Sequence, residues 1–507
     1  VVVTESIAGG IPGTIPTFQT LFVIGTSLRG PAQVPTQITS IGQFTLQFKG
    51  GLASYLPMAI NDWYSNSGPG SVYVTRVVGA GATEATAILT HTPEESAETI
   101  IEFTTIGPGA DYNGVAGPPA TGLSVQFQNG LLQILDAGVV IEQYNEATFA
   151  SRAQMQQYVN GASNLVQMNW VDQTQDPDNT ANPVQFAGGA NGATVASTDI
   201  LGDPSTNTGV YSLATKNLPL GYVTAPGYSQ QIVGNGLIQM AVQYRRYALI
   251  DSTFGGNLSA WLTERNQYAE PTGRAAYIAG WIQEPNPNNN NALTWCPRSC
   301  ARAAMIAASQ NQPDSLANVG AGLAYTYANV TALETDGLDD NDQGTLNDAG
   351  IDVARNFTLQ GQGRVQWAAR TISTNVLYLF CNTPITLNVI AVAIETALKQ
   401  YVFDVIDGQG ILGAAIESTL TQLLFTMWQA NILYGATFDQ ACYINVDTSN
   451  PLQLQNGILP IQVYVKTAPI AERIPVSLYL MQLAYNPVTQ QISVTSIPSP
   501  SSVLPSS

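Results

Sequence analysis

The sequence predicts a multidomain α/β protein, and three observations lead there. A chain of 507 residues exceeds what one ordinary core holds, so about two to four domains are expected. Through the middle of the chain, strand-like and helix-like runs alternate, the order of a mainly parallel sheet. Near the C-terminus, Leu412, Ile416, Leu420, Leu423, Met427 and Ala430 recur at three- and four-residue steps, the period of a helix with one buried face.

The elements follow in order. Residues 1–20, VVVTESIAGGIPGTIPTFQT, open with a β-branched run and continue with Gly and Pro, so they read as an extended arm without a core of its own. FVIGTS (22–27) and SVYVTRVVG (71–79) are strand-like, and the segment between them has helical spacing and ends in Gly. LSVQFQNG and LLQILDAGVVIEQY alternate around Asn-Gly and Ala-Gly turns, a hairpin signal in a β-rich stretch. ATFASRAQMQQYVNGAS reads as an amphipathic helix and MNWVDQTQDPDNTANP as a linker. YRRYALIDST is a buried strand, SAWLTERNQYAEP a helix and RAAYIAGWIQEP another strand. Residues 333–350 read as an Asp/Asn/Gly loop. Two apolar helices follow at 385–406 and 411–434. Then come the strands CYINVD, PIQVYVKTA and VSLYLMQLA, and a Ser/Pro-rich tail. In PIQVYVKTA, Val463 and Val465 alternate with Gln462, Tyr464 and Lys466, so one face is buried. The boundaries drawn from this reading are 1–20, 21–93, 94–185 (β-rich insert), 186–365 (middle α/β domain), 366–484 and 485–507.

Composition bounds the function. Charged residues are 10% of the chain, well below the usual quarter, so the polar surface is largely uncharged and is cheap to bury against other protein. With 17 basic and 35 acidic residues the net charge is −18, which argues against nucleic-acid binding and supplies no polybasic membrane patch. Cys296, Cys300, Cys381 and Cys442 are too few for a disulfide scaffold. No basic segment leads an apolar N-terminal run, so no signal peptide is expected, and the apolar helices carry Glu395, Lys399, Asp404 and Glu417, so they read as buried instead of membrane-spanning. Synthesis and assembly in the cytosol fit. The initial Val is read as processing or a trimmed numbering.

Chemistry-bearing motifs are sparse. The single histidine, His91, rules out HExxH and multi-histidine metal sites. It lies in a Thr/Pro/Glu loop without a nucleophile elbow. Cys296 and Cys300 have i, i+4 spacing but no second thiol pair to complete a zinc site. AGGANGA (187–193) is not GxGxxG and reads as a glycine turn; no Walker sequence exists. LDDNDQGTLNDAG matches a calcium loop for six residues but has Gly350 where a bidentate Glu is required. No catalytic residue, cofactor or metal is expected.

Several stretches resemble the tail sheath family of contractile phages, which includes tailocins and related injection machines. GTSLRGPAQVPTQITSIGQFTLQFKGG resembles the family's first strand, Gly-Pro turn and helix, and GSVYVTRVVG its next strand. GPGADYNGVAGPPATGLSVQF resembles the start of an inserted β domain. FAGGANG, VTAPGYSQQI, RRYALIDSTFGG, AAYIAGWIQEPNP and CPRSCARAAMIAASQ follow in the family's order. LNDAGIDVARNFTLQGQGRVQWAARTIS and TMWQANILYGATFDQACYINVD resemble its most typical part. The chain departs at Cys296–Cys300, where relatives show Pro, Ser and Gly.

The resemblance implies a C-terminal α/β sheath domain, completed by the N-terminal segment, with inserted β-rich and α/β domains. It implies a structural subunit of the virion that stacks as hexameric rings around a tail tube and contracts. Expected partners are further copies, the tube protein, and baseplate and tail terminator proteins. It implies arms that add strands to a neighbour's sheet, here including Val1, Val2, Val3 and Thr4 at one end and Ile492 and Val494 at the other. Lys399 and Arg473 are the expected tube-facing cations, since basic residues are scarce. A surface-layer or capsid-like protein would share the composition, and a hydrolase on the middle α/β region is the enzymatic alternative.

Overall fold

The computed structural model describes residues 15–51, 54–93, 97–215, 217–311 and 315–474, with the backbone of two strands at 483–486 and 491–494. The chain divides into two compact units at Ala468/Pro469. Residues Val1–Thr4 lie outside the described residues.

The larger unit is organised by a seven-stranded sheet. In spatial order its strands are Ile351–Asp352, Ala275–Ile278, Tyr247–Asp251, Gly221–Thr224, Thr20–Gly25, Val72–Arg76 and Thr36–Ile38. All pairings are parallel except that of the Thr36–Ile38 edge strand. The sequence explains why the sheet is covered on both sides: TLFVIG is buried at every position, the pattern of a parallel strand with helices on each face. Side chains alternate between two cores. Leu21 and Val23 join Val72, Tyr222 and Leu249 on one face; Phe22 and Ile24 join Val223, Ala248 and Tyr277 on the other. The first face is closed by helices Leu56–Ser65, Ser299–Ser309, Asn382–Leu398 and Ile411–Gln429, through residues such as Trp63, Ile306, Val389 and Met427. The second is closed mainly by Gln231–Gln243 and Leu258–Arg265, through Leu237, Met240 and Trp261.

Several boundaries drawn from sequence move. Segments 21–93 and 186–365 build one sheet, not two domains, because the strands at 20–25 and 221–224 hydrogen-bond directly. The helices after residue 366 share a core with that sheet. The arm ends earlier than Thr20: Phe18 is buried edge-to-face against Tyr222 with ring centroids 5.1 Å apart. The acidic stretch at 333–350, read as a loop, contains the helix Asp340–Asp348. Asp339 caps it, accepting from the amides of Asn341 and Asp342, and Asp340 and Asp342 in its first turn suit the helix dipole. That helix removes the calcium-loop geometry. RAAYIAGWIQEP is two strands, broken at Gly280, whose φ of 80° turns the chain out of the central sheet into a separate three-stranded one.

The β-rich insert has its own core of Leu123, Phe103, Ile134, Met155, Val159 and Trp170 among others. It holds a four-stranded sheet with three consecutive strands, Leu123–Gln128, Leu131–Asp136 and Val139–Asn145. Asn129-Gly130 and Ala137-Gly138 all have positive φ, the two-residue turn that matches strand twist. Its other sheet begins at Thr86, before the boundary read at 94, and includes Val166–Trp170. The front of the supposed linker is therefore a strand, and its alternating burial (Val166, Met168 and Trp170 inward) is the signal. AGGANGA closes the insert, with Ala187 and Ala190 bridged to Thr86 and Thr83. Charge also ties insert to sheet: Arg29 meets Asp136 at 2.7 Å and Lys49 meets Asp111 at 2.9 Å.

Candidate assembly surface and the polar core behind it

The strands Cys442–Val446 and Ile461–Val465 pair antiparallel as a sheet of their own. Ile444, Val463 and Val465 rest on the shared core, whereas Tyr443 and Tyr464 stand opposite one another on the exposed face, ring centroids 6.0 Å apart. Among the described residues the sheet has only these two strands. Exposed apolar side chains gather in the same stretch of sequence: Val402, Phe403, Val405, Ile411, Tyr434 and Leu452. Phe403 is fully exposed at a φ of 76°, a strained position for an aromatic residue.

Lys399 sits exposed in the single turn that ends helix Asn382–Leu398, with no ion pair among the described residues. Arg473 is exposed in the smaller unit, so the two cations belong to different bodies. Ile492 and Val494 lie on the strand Gln491–Val494, which pairs antiparallel with Leu483–Asn486 of the same chain, Tyr485 opposite Ile492. At the start of the segment read as an arm, these two strands pair with each other. His91 is not in an unpartnered loop: it ends the strand Thr86–His91, and its Nδ1 lies 2.8 Å from Asp178 Oδ1. The Asp178 carboxyl is held below its usual range, first by that contact.

Beneath the first core lies a buried polar network that sequence reasoning missed, because its members are scattered along the chain from Asp251 to Gln366. Asp352, at the end of an edge strand of the seven-stranded sheet, receives Arg302 Nε at 2.8 Å, Arg298 Nη1 at 3.2 Å and Gln366 Nε2 at 2.7 Å. All four side chains are buried. Burial alone would lower the Arg302 guanidinium, but Asp352 beside it reverses this and the net shift is upward. Two strands away, Asp251 accepts from the Ser299 amide at 3.0 Å and its hydroxyl at 2.6 Å. Burial pushes its carboxyl up to about 7, against the pull of Ser299.

Cys296 does not pair with Cys300. Cys296 Sγ lies 3.6 Å from Asp62 Oδ2 and 3.5 Å from Glu284 Oε1, all buried. Burial, then the neighbouring carboxylate, drives the Asp62 carboxyl well up; burial also raises Glu284 and Cys296. All four cysteines are free and buried. No described helix is long and apolar enough to cross a membrane.

This architecture, a covered central sheet with a β-rich insert and a two-stranded C-terminal sheet, is the fold of contractile sheath proteins. The anti-feeding prophage helical sheath in its contracted state superposes with a TM-score of 0.57 at 15% identity, covering 94% of this chain and 98% of that one. The PVC sheath complex of an extracellular contractile injection system, also contracted, gives 0.56 at 12%, covering 94% and 96%. The sheath tail protein of Listeria innocua gives 0.56 at 10%, covering 90% and 96%. No family profile and no curated protein matches the sequence.

Proposed function

We propose that this chain is the sheath subunit of a contractile phage tail. It stacks as hexameric rings around a tail tube and moves the tube by rearranging between two helical lattices. The observation that carries this is the end-to-end fold similarity to sheath proteins, which spans 94% of this chain, insert included. The open two-stranded sheet and its exposed aromatics support it, since a strand donated from a neighbour gives backbone hydrogen bonds that persist while rigid subunits rotate. In this reading the protein is structural, not catalytic. It is built in the host cytoplasm and carried in the virion, and its free energy of contraction is a difference in contacts between two lattices. A second reading, the sheath of an extracellular injection device, is favoured by the anti-feeding prophage and PVC neighbours.

Electron microscopy of the purified chain, alone and co-expressed with the tube protein encoded beside it, tests the proposal. Tubes or stacked rings of uniform width are expected, without nucleotide. Flat sheets or closed shells would indicate a surface-layer or capsid protein, and monodisperse monomers at high concentration would overturn the reading. Capsid and terminase genes in the neighbourhood would separate a phage tail from an injection device.

A further inference from the structure

We propose that Asp62, Glu284 and Cys296 form a buried structural site for a zinc-type divalent cation. Their ligand atoms all lie within 4.8 Å of one another. A tetrahedral zinc with Zn–S of about 2.3 Å and Zn–O of about 2.0–2.2 Å holds its sulfur and oxygen ligands about 3.5–3.7 Å apart. The two measured sulfur–oxygen separations, 3.6 and 3.5 Å, are both that edge.

Asp62 and Glu284 also hydrogen-bond to each other, which two carboxyl groups can do only while one of them keeps a proton. A thiol has one proton and donates to one carboxylate, yet Cys296 touches two. Among the described residues Asp62 Oδ1 is buried with no assigned hydrogen-bond partner, a costly omission, and Cys296 itself sits in a core cluster with Met58, Ile282, Ala301 and Met305. The groups that act on Asp62 are Glu284, Cys296 and the more distant Asp251, so the acids face other acids and a thiol, not a base. A dication answers each point. It neutralises the acids, deprotonates the thiol as a coordinating metal does, and takes Asp62 Oδ1 as the second oxygen of a bidentate carboxylate, filling the fourth position. Thiolate beside carboxylates selects zinc over calcium or magnesium. The site would pin helix Leu56–Ser65 to the strand pair Ile282–Asn286 and Ala292–Cys296, joining positions 234 residues apart.

Because the cluster is enclosed, metal enters during folding. The test is to refold the full chain from denaturant with cobalt(II) or zinc, or with chelator, and remove unbound metal. Expected are about one metal per chain by mass spectrometry, a near-ultraviolet sulfur-to-cobalt charge-transfer band, and a higher melting temperature than with chelator. Cys296→Ser abolishes the band; Cys442→Ser, a thiol in another part of the core, keeps it. Wild-type protein that refolds equally well with chelator and carries no metal would overturn the proposal, leaving a proton-sharing carboxyl pair. So would a band that survives Cys296→Ser. These readouts come from soluble subunit, so they stand or fall apart from the sheath reading.

Discussion

The polar network on Asp352 and the small sheet at Cys442–Val465 make opposite use of a chain poor in charge. Inside, Arg298, Arg302, Arg76, Arg246 and Arg29 are almost fully buried, although the chain has only 17 basic residues in all. Arg76 donates to the carbonyls of Ser27, Gly30 and Pro108, and Arg246 to those of Leu213 and Thr215. Burial lowers both guanidinium groups to about 10. Outside, the small sheet presents tyrosines. Several of the scarce cations are thus buried, donating to loop carbonyls, and the surface that remains is poor in positive charge. Under the proposed sheath function, a rigid subunit with a low-charge face would suit a lattice of moving rigid bodies, since such a face desolvates cheaply in more than one arrangement.

The comparison can be broken most severely from the inside. Asp352→Ala leaves two buried arginines without their carboxylate, and removing one partner of a buried ion pair costs about 3–5 kcal/mol. Denaturant titration should show that loss or no folded protein at all. A near-neutral result would mean the arginines reach water or other acceptors.

The N-terminus offers a sharper test, because a buried residue, Phe18, lies inside the segment read as an arm. Phe18→Ala opens a cavity beside Tyr222 and should cost about 3–5 kcal/mol. Under the linking-arm reading, deletion of Val1–Thr14 leaves a subunit that melts cooperatively near the wild-type temperature. It also forms no tubes. Tubes as before would show that the arm does not link subunits; an unfolded product would show that it completes its own domain. A deletion through Thr20, which the sequence alone recommends, would confuse the two by removing Phe18 and the first residue of a central strand.

Stability should also depend on pH through Asp251. Its folded carboxyl titrates near 7, above its unfolded value, so between roughly pH 4 and 7 the folded state binds more protons. Stability therefore falls as pH rises through that window, by at most about 1.4 kcal/mol per pH unit from this group. Asp251→Asn keeps an acceptor for the Ser299 amide and should flatten its share of the slope. An unchanged slope would place the titration elsewhere.

How much of this was legible depends on whether the signal was local. Hairpin turns at Asn129-Gly130, the buried strand YRRYALIDST and the periodic helix at Ile411–Gln429 are set by neighbours in sequence, and they appear in the structure. The helix Asp340–Asp348 was hidden by its Asp, Asn and Gly content, although Asp339 and Asp342 form a capping pair. The central sheet was not legible as one object, because Thr20–Gly25 and Gly221–Thr224 meet only in three dimensions. The same holds for the Asp62–Glu284–Cys296 cluster. The i, i+4 spacing drew attention to Cys300, whereas the acids near Cys296 come from the neighbouring strand of its own hairpin, Glu284, and from a helix 234 residues away, Asp62.

The smallest expected effect on stability lies on the exposed face. Tyr443 and Tyr464 are cross-strand neighbours, and such a pair contributes about 0.2–1 kcal/mol relative to small residues. Replacing both with Ser leaves the inward side chains Ile444, Val463 and Val465 in place, so the melting curve should shift by no more than that range implies. Assembly is another matter. Sheath tubes repeat each contact in every subunit, so even a small loss per contact is multiplied along the lattice. The double variant should raise the protein concentration needed for tube formation while its monomer melts almost normally. If tubes form at the wild-type concentration, the exposed tyrosines are ordinary surface, and the contact face must be sought among Phe403, Val405 and Ile411 instead. If the monomer unfolds, the small sheet is part of the core after all, and the contrast between a rigid interior and an open contact face fails at this point.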